Sequence, residues 1–273
     1  MSFLGALQNK LSGFRENLAF SNRWSVLAQR LFHPGRPLVS YLWKKRWWLV
    51  CDTRCQDANA VKEVLARGCY DAAITRSARD GRLAYVNVGA HIGTFDIAVA
   101  SLVREVPFAC GVEMNPHTFA RLNFNLRLNG LVQVRTINAG VGGENGTARV
   151  RASGCSLADN LFANAGGSQD GGESFIVPIL TLAKVLEQAG VGDREIDLLK
   201  VDCEGAEYPI IEESSPALLR RFANVVMELH PPAAGCSVDR LYRKMESCGF
   251  TTTGAEPREM TCGELRFWKR TQP

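Results

Sequence analysis

The sequence predicts an α/β fold built on a mostly parallel sheet. Apolar runs of strand length alternate with segments that have helical periodicity along most of the chain, and this alternation is typical of parallel sheets. Two of the apolar runs, Tyr85–Val88 and Asp197–Asp202, end in polar turns that contain glycine. Ligands of open α/β sheets bind outside the carboxyl ends of the strands, so we expect the two turns to face one pocket.

The expected elements follow one another in a regular order. Strands are predicted where short apolar runs lie between polar turns, at Tyr85–Val88, Ala109–Glu113, Gln133–Asn138, Asp197–Asp202 and Asn224–Leu229. Helices are predicted where apolar residues recur at helical spacing, at Val61–Gly68, Thr94–Arg104, Pro116–Asn129, Leu182–Ala189, Tyr208–Arg220 and Val238–Cys248. The tail, Phe250–Ala255 and Gly263–Lys269, indicates a hairpin.

Residues 1–70 are expected to form a helical N-terminal extension with a basic, aromatic segment, and residues 71–273 the main domain, with helices on both faces of its sheet. The stretch Met1–Leu31 predicts an amphipathic helix, packed on the domain or serving as a homodimer surface. A helix lying on a membrane surface is the alternative, although its polar face is not strongly basic. Its apolar positions at helical spacing are Phe3, Leu4, Leu7, Leu11, Phe14 and Leu18. None of its apolar runs is long enough for a signal peptide or a membrane span.

Two further segments leave alternatives open. The cluster Trp43–Trp48 surrounds three cations with tryptophans, and we expect a strand or helix edge with partly buried rings and solvated charges. Stacking on a glycan or nucleic acid, or contact with a membrane interface, is the alternative. The stretch 142–172 is rich in Gly, Ala, Ser and Asn; we expect a flexible loop, which either closes over an acceptor or is an ordinary insertion.

Composition excludes several classes of protein. A chain of 273 residues with 46% hydrophobic content can bury a full core, and a formal charge of +4 gives no strong nucleic-acid signal. Nine cysteines are scattered without a disulfide framework, so we expect a reducing, cytoplasmic compartment. No CxxC pair occurs, and a zinc site is not expected.

The first glycine turn suits a ligand that carries a ribose. Gly89 and Gly93 lie four residues apart after an apolar strand and before a predicted helix, where glycine allows close backbone approach to a ligand. Glu113 closes the second strand and is placed to accept hydrogen bonds from a ribose diol. The alternative is that the glycines serve only strand-to-helix packing and that Glu113 is a solvated strand end.

These segments resemble the FkbM-type family of class I S-adenosylmethionine-dependent methyltransferases. The family patterns Asp-x-Gly-Ala-Asn-x-Gly and Lys-Ile-Asp-x-Glu-Gly-Ala-Glu have counterparts in Asn87–Gly93 and Lys200–Glu207. The resemblance extends from Asp71 to Trp268. It implies a Rossmann-like sheet with an antiparallel last strand, and an O-methyltransferase that acts on a sugar, glycan or natural-product hydroxyl. The S-adenosylmethionine site would include Asn87, Gly89, Ala90, His91, Gly93, Thr94, Glu113, Asn138, Ala139 and Asp202.

Three positions depart from the family pattern. Asn87 stands where the family carries Asp, His91 where it carries Asn, and Ala183 where Asp follows Thr-Leu. Asn87 can accept a hydrogen bond but cannot pair electrostatically with the methionine ammonium. A catalytically degenerate binding module is therefore an alternative. A dinucleotide-dependent oxidoreductase is a weaker one, because the turn lacks the GxGxxG spacing and no Tyr-x-x-x-Lys pair follows.

The candidate catalytic residues are Asp202, Glu204 and His230, which follow two predicted strands. His230 is the natural base on its intrinsic pKa, although it could simply complete the strand end before Pro231 and Pro232. A divalent metal on Asp202 and Glu204 with a third carboxylate is an alternative that we do not favour. We expect Glu207 to orient backbone or Lys200 rather than to touch substrate.

Overall fold

The computed structural model describes residues 15–151, 174–252 and 264–271. The strands in these ranges are β1 (Leu38–Trp43), β2 (Trp47–Asp52), β3 (Arg82–Val88), β4 (Glu105–Glu113), β5 (Val134–Asn138), β6 (Gly140–Val141), β7 (Gly146–Arg151), β8 (Ser174–Leu180), β9 (Ile196–Val201), β10 (Phe222–Leu229), β11 (Phe250–Thr252) and β12 (Glu264–Arg270). The helices with both ends in these ranges are α1 (Arg23–Phe32), α2 (Asp57–Val61), α3 (Asp71–Ser77), α4 (Thr94–Leu102), α5 (Pro116–Leu128), α6 (Leu182–Gln188), α7 (Glu207–Glu213), α8 (Pro216–Leu219) and α9 (Val238–Ser247). A π-helical segment, Lys62–Ala66, continues α2.

The central sheet has seven strands in the order β11-β12-β10-β9-β3-β4-β5. Strands β10, β9, β3, β4 and β5 pair in parallel, whereas β12 is antiparallel to both of its neighbours. The predicted α/β fold with a mostly parallel sheet and an antiparallel last strand is therefore confirmed. The two glycine turns follow the adjacent strands β3 and β9, so the sheet order itself brings them together.

One predicted helix is divided in two. The prediction of a single helix over Tyr208–Arg220 is wrong, because α7 ends at Glu213 and α8 begins at Pro216. Ser215 lies between them with an extended backbone, and its hydroxyl accepts a hydrogen bond from Leu218 N. Proline is favoured in the first turn after such a cap and unfavourable inside a continuous helix.

A small three-stranded sheet of order β6-β8-β7 stands beside the main one. The expectation of a loop over 142–172 is wrong for β7, which pairs antiparallel with β8 from Gly146 opposite Ile179 to Arg151 opposite Ser174. Thr147 and Arg149 are exposed while Val150 is buried, which is the alternation of a half-buried strand. The rest of that stretch, 152–173, lies outside the described residues.

The N-terminal extension contributes a helix and a hairpin, so the prediction of a helical extension is wrong for residues 38–52. Residues 15–18 are helical and α1 begins only at Arg23, so the predicted continuous helix is interrupted; residues 1–14 lie outside the described part. Strands β1 and β2 form a hairpin in which Lys44 and Lys45 occupy the turn with positive φ. Trp47 is buried while Lys44, Lys45 and Arg46 are exposed, which is the edge arrangement expected for this cluster.

Asn125 of α5 and Asn129, which follows the last residue of that helix, hold the free edge of this hairpin. The buried Asn125 accepts a hydrogen bond from Val50 N at 2.8 Å and donates to Val50 O at 3.2 Å. One turn later, Asn129 does the same with Trp48 N (2.7 Å) and Trp48 O (2.6 Å). The amide of Asn125 also donates to Ile92 O at 2.9 Å. Side-chain amides thus replace a neighbouring strand and link the hairpin to the first glycine turn.

The hairpin and the domain share one hydrophobic core. Apolar residues of the hairpin pack in the same cluster as residues of the first glycine turn, α4 and α5, among them Tyr41, Trp47, Leu49, Ile92, Phe95 and Leu122. Among the described residues, no helix is both long and apolar enough to cross a membrane.

We predict that Asn125→Ala lowers the free energy of unfolding by about 2–4 kcal/mol, because it leaves half-buried and buried backbone groups of Val50 and Ile92 without partners. Urea unfolding followed by circular dichroism measures the change. Asn129→Ala is the matched control; it removes the same amide at the more exposed end and should cost about 0.5–1.5 kcal/mol. Equal losses for the two variants would contradict this account.

Candidate functional site

The two glycine turns touch through their backbones. Gly89 has φ of 75°, and a Cβ atom at this position would lie 1.7 Å from the carbonyl oxygen of Asp202. Asp202 N donates to Val88 O at 3.2 Å. Only glycine fits such an approach, so the turn after β3 and the turn after β9 form one surface.

A buried ammonium group fastens the same contact. Lys200 Nζ donates to Gly89 O at 2.7 Å and to Val88 O at 3.3 Å, and it lies 3.2 Å from Asp202 Oδ2. Tyr70 donates its hydroxyl to that carboxylate oxygen at 3.0 Å. Burial opposes ionisation of Asp202, but Lys200 and His230 outweigh it and keep the pKa of Asp202 below its usual value. Asp202 is therefore an anion at neutral pH.

A cleft opens beside this contact at the carboxyl ends of β3, β4, β5 and β9. Its lining comprises Val88, Gly89, His91, Val112, Glu113, Met114, Ala139, Gly140, Val141, Asp202, Cys203, Glu204 and Ala206. The buried Glu113 is fixed by two backbone donors, His91 N at 2.9 Å and Asn115 N at 2.8 Å. A carboxylate has about four acceptor positions, so Glu113 can still bind a diol. Burial raises the pKa of Glu113.

The backbone donors of the first turn are already used inside the protein. Gly89 N and Ala90 N both donate to Val112 O, at 3.0 and 2.9 Å, and His91 N donates to Glu113. A phosphate-binding glycine turn presents such N–H groups to its ligand. This turn therefore lacks the donors that a pyrophosphate would require at these three positions.

A second cavity adjoins the cleft and shares Gly89, His91, Asp202 and Glu204 with it. Its other lining residues are Ala60, Glu63, Val64, Tyr70, Ala90, Thr94, Phe95, Lys200 and Glu228. Four carboxylates, of Glu63, Asp202, Glu204 and Glu228, thus face a space that holds one ammonium group, that of Lys200. This balance favours a cationic ligand over an anionic one.

The sequence predictions missed Glu63, Tyr70 and Glu228 in this cavity. Glu228 precedes His230 by two residues on the same strand end, and alternate residues of a strand face the same side, so that signal was present. Glu63 stands on the π-helical segment, a feature frequent at functional sites that the sequence pattern does not reveal.

His230 lines neither the cleft nor the second cavity. It contacts carboxylates that do line the second cavity. Its Nδ1 donates to the buried Glu207 at 2.9 Å, and its Nε2 lies 3.5 Å from Glu204 and 3.8 Å from Glu228. Burial lowers the pKa of His230, but Glu207 and the other carboxylates outweigh it and raise that pKa to about 9. The imidazole is therefore a cation at neutral pH.

The neighbouring acids titrate higher than usual. Burial and the Asp202 carboxylate raise the pKa of Glu228 to about 7, against the opposing charges of His230 and Lys200. Burial also raises the pKa of Glu204.

Glu207 accepts hydrogen bonds from Cys203 N and Gly205 N, both at 2.9 Å. It thus orients backbone, as expected, and it orients His230 rather than Lys200.

The same side chains meet the spacing of a metal site. Ligand atoms of Asp202, Glu228 and His230 all lie within 4.8 Å of one another. The Lys200 ammonium and the His230 imidazolium already supply positive charge at these carboxylates. We therefore describe the group as an ion-pair network and assign no metal to it.

The remaining predicted site residues divide into two groups, those that support the turn and those that line the two spaces. Gly93 has φ of 90° and immediately precedes α4. A Cβ atom there would meet Leu122 at 3.1 Å, so glycine allows close packing of the turn on α5. Asn138 donates to Glu113 O and Met114 O at 2.8 and 3.0 Å. Ala139 lines the cleft, and Ala90 and Thr94 line the second cavity.

Asn87 lies beneath the turn and faces Asp96 of α4. Its amide donates to Asp96 Oδ2 at 3.0 Å, and Tyr85 donates its hydroxyl to Asp96 Oδ1 at 2.8 Å. All three side chains are buried, and burial raises the pKa of Asp96. The family pattern has a carboxylate at position 87; in this chain the carboxylate at this contact is that of Asp96, hydrogen-bonded to Asn87.

His91 connects the turn to the N-terminal extension. Its Nε2 lies 3.3 Å from Oδ1 of the fully buried Asp57, which also pairs with Arg121 Nε at 2.9 Å. Asp57 accepts a further hydrogen bond from Asp52 N at 2.8 Å. Burial opposes ionisation of Asp57, but His91 and Arg121 outweigh it and lower its pKa. His91, which stands where the family pattern has Asn, therefore pairs with Asp57 of the N-terminal extension.

A family model described as the methyltransferase FkbM domain matches residues 87–252. Among solved structures, precorrin-6y C5,15-methyltransferase from Geobacter metallireducens shares 15% identity, with 72% of this chain and 83% of that chain covered and a TM-score of 0.37. The FkbM methyltransferase from Methylobacillus flagellatus shares 12% identity, with 82% and 56% covered and a TM-score of 0.44.

Magnesium protoporphyrin IX methyltransferase from Synechocystis, solved with bound SAM, shares 12% identity, with 76% of this chain and 81% of that chain covered and a TM-score of 0.39. No curated protein matches the sequence significantly.

We predict that Asn87→Asp destabilises the protein by roughly 2–4 kcal/mol near neutral pH, because two buried carboxylates would then face each other and one must take up a proton. The folded-state pKa of the pair would exceed the unfolded value, so the loss should be complete at about pH 8 and relieved towards about pH 5. Urea unfolding at both pH values measures it.

The exchange variant Asn87→Asp with Asp96→Asn is the matched control. It keeps one carboxylate and one amide at the contact, and its stability should return to within about 1 kcal/mol of the parent. A double variant that is as unstable as Asn87→Asp would show that the contact is not what position 87 requires.

Proposed function

The chain belongs to the FkbM methyltransferase family, and we propose that it transfers a methyl group from S-adenosylmethionine to a hydroxyl of a sugar, glycan or natural-product acceptor. The observation that carries the proposal is the pairing of two spaces across the Gly89–Asp202 contact. One is a cleft with the fixed carboxylate of Glu113, and the other is an adjoining cavity lined by four carboxylates. The acceptor class comes from the resemblance to this family.

The cofactor would span both spaces. Glu113 would bind the ribose diol, and the apolar side chains of Met114 and Val141 would flank the adenine. The methionyl end carries an ammonium, a sulfonium and one carboxylate; the carboxylates around Asp202 suit its two cationic groups, and the Lys200 ammonium is available in the same cavity for its carboxylate. A dinucleotide fits less well, because its pyrophosphate would find N–H groups already engaged and carboxylates nearby.

Proton removal from the acceptor would fall to Glu228. S-adenosylmethionine, when bound, supplies an electrophilic methyl group, so the protein must position the hydroxyl and take its proton. Glu228 lines the cavity and its pKa of about 7 suits a base at neutral pH. The His230 cation lies outside the cavity lining, beside Glu204 and Glu228, and would act as a positioning residue that holds these two carboxylates. This modifies the sequence-based role of His230 as the base.

Two of the three departures from the family pattern, Asn87 and Ala183, lie outside the linings of the cleft and the second cavity, whereas His91 lines both. Asn87 lies under the turn with Asp96 as its partner, and Ala183 is exposed in the first turn of α6 and is absent from the linings of both spaces. These placements support an active enzyme over a degenerate binding module.

We predict micromolar binding of S-adenosylmethionine and S-adenosylhomocysteine, and no binding of NAD(H), in calorimetric titrations of the purified protein. Glu113→Ala should weaken adenosyl binding by at least about tenfold, since hydrogen bonds to a charged group are worth roughly 1.5–3 kcal/mol. Glu187→Ala, which removes an exposed glutamate of α6, should bind like the parent. Thermal unfolding of each variant verifies its fold. If the parent protein binds neither S-adenosylmethionine nor S-adenosylhomocysteine, the proposal is refuted.

We predict a bell-shaped pH profile for the formation of S-adenosylhomocysteine with an acceptor found by screening hydroxylated compounds. The rate should rise through about pH 7 as Glu228 ionises and fall near pH 9 as His230 loses its charge. Glu228→Gln should lower kcat by roughly 10²–10⁴-fold.

His230→Gln distinguishes a positioning role from a merely structural one. Removing the nearby cation raises the pKa of Glu228, so the acidic limb should move to higher pH and the alkaline limb should disappear. An unchanged profile at reduced rate would contradict the assignment of both residues.

A further inference from the structure

Helix α1 has two faces with opposite surroundings. One face packs on the hairpin: Val26 is buried, the amide of Asn22 donates to Ser40 O at 2.9 Å and its oxygen accepts from Leu42 N at 2.8 Å. Gln29, two turns later, donates to Leu38 O. These contacts leave the opposite side of the helix directed outward.

That outward side is apolar. Trp24, Leu31 and Phe32 are 68%, 72% and 71% exposed, and Ala28 between them is exposed as well. Spacings of four, seven and eight residues from Trp24 place the four side chains on one side of a helix. Nothing in the described part of the chain covers them. We call these four residues the outer face of α1; surface clusters of this kind mark interaction sites.

The segment that contains α1 and the hairpin is rich in positive charge. Residues 15–56 contain eight basic residues and two acidic ones, a net charge of +6, whereas the whole chain carries only +4, so the remainder is net negative. The Arg23 guanidinium lies 6.0 Å from the ring of Trp24. Lys45 N donates to Ser21 Oγ at 2.9 Å, which sets the exposed turn of Lys44, Lys45 and Arg46 beside the start of α1.

An apolar face next to positive charge favours some kinds of binding partner over others. A second copy of the chain would bring together two segments 15–56, each of net charge +6, which is repulsive. A nucleic acid would satisfy the cations but would leave Leu31 and Phe32 without an apolar environment. An anionic bilayer offers negative headgroups and, just below them, acyl chains that take up Trp, Leu and Phe.

We propose that the outer face of α1, with the adjacent turn of the β1–β2 hairpin, binds the surface of an anionic lipid bilayer. The helix lies in the plane of the interface, with Trp24, Leu31 and Phe32 below the headgroups. Arg23, Lys44 and Lys45 contact the lipid phosphates and carboxylates. The proposal stands independently of the methyl-transfer reaction.

Co-sedimentation of the full chain with vesicles tests it. The protein should bind vesicles of phosphatidylcholine mixed with phosphatidylserine, bind vesicles of phosphatidylcholine alone at least about tenfold more weakly, and lose binding as salt increases. Leu31→Glu with Phe32→Glu should reduce binding at least about tenfold, and Lys44→Gln with Lys45→Gln should reduce it several-fold for each charge.

Ile176→Glu is the matched control, because Ile176 is an exposed apolar residue on β8, in the separate three-stranded sheet. It should bind vesicles like the parent, and circular dichroism should show all variants folded. The proposal is overturned if the parent fails to bind the anionic vesicles, or if the Leu31 and Phe32 double variant binds them equally well. If the parent does not bind vesicles but dimerises or binds RNA, and the Leu31 and Phe32 double variant loses that interaction, the outer face binds that partner instead and the proposal is overturned.

Discussion

The close approach of Gly89 to the Asp202 carbonyl is the contact on which the site depends. Adjacent parallel strands bring the two turns side by side, but only a residue without a Cβ atom lets their backbones meet. Lys200 then bonds both turns at once, through Gly89 O and Asp202 Oδ2. Gly89 and Asp202 line both the cleft and the second cavity, so the backbone contact between them fixes a wall that the two spaces share.

Charge balance is the second constraint. Asp202, Glu204, Glu207 and Glu228 crowd around one site, and each would be costly alone in a low-dielectric environment. Lys200 and the His230 imidazolium offset part of that cost, which explains why the pKa of His230 rises to about 9 despite burial. The excess of negative charge that remains on the cavity wall suits a cationic methionyl group and disfavours a phosphate.

Much of this architecture is encoded in local sequence. Apolar runs that end in glycine turns predicted β3, β9 and their shared pocket, because strand period and turn chemistry act over short range. The partner of Asn87 could not be predicted in this way, since Asp96 meets it only after α4 packs on β3. The same holds for Asn125, which serves β2 across 75 positions of sequence, and for Glu63, whose cavity position depends on a π-helical turn.

A crystal structure of the protein with S-adenosylhomocysteine is the most direct test of the claim that the two turns form one cofactor site. We expect the ribose hydroxyls within hydrogen-bond distance of Glu113, the adenine beside Met114 and Val141, and the methionyl end beside Asp202 in the acidic cavity. A ligand bound elsewhere, or one with its methionyl end directed away from Asp202, would contradict the account.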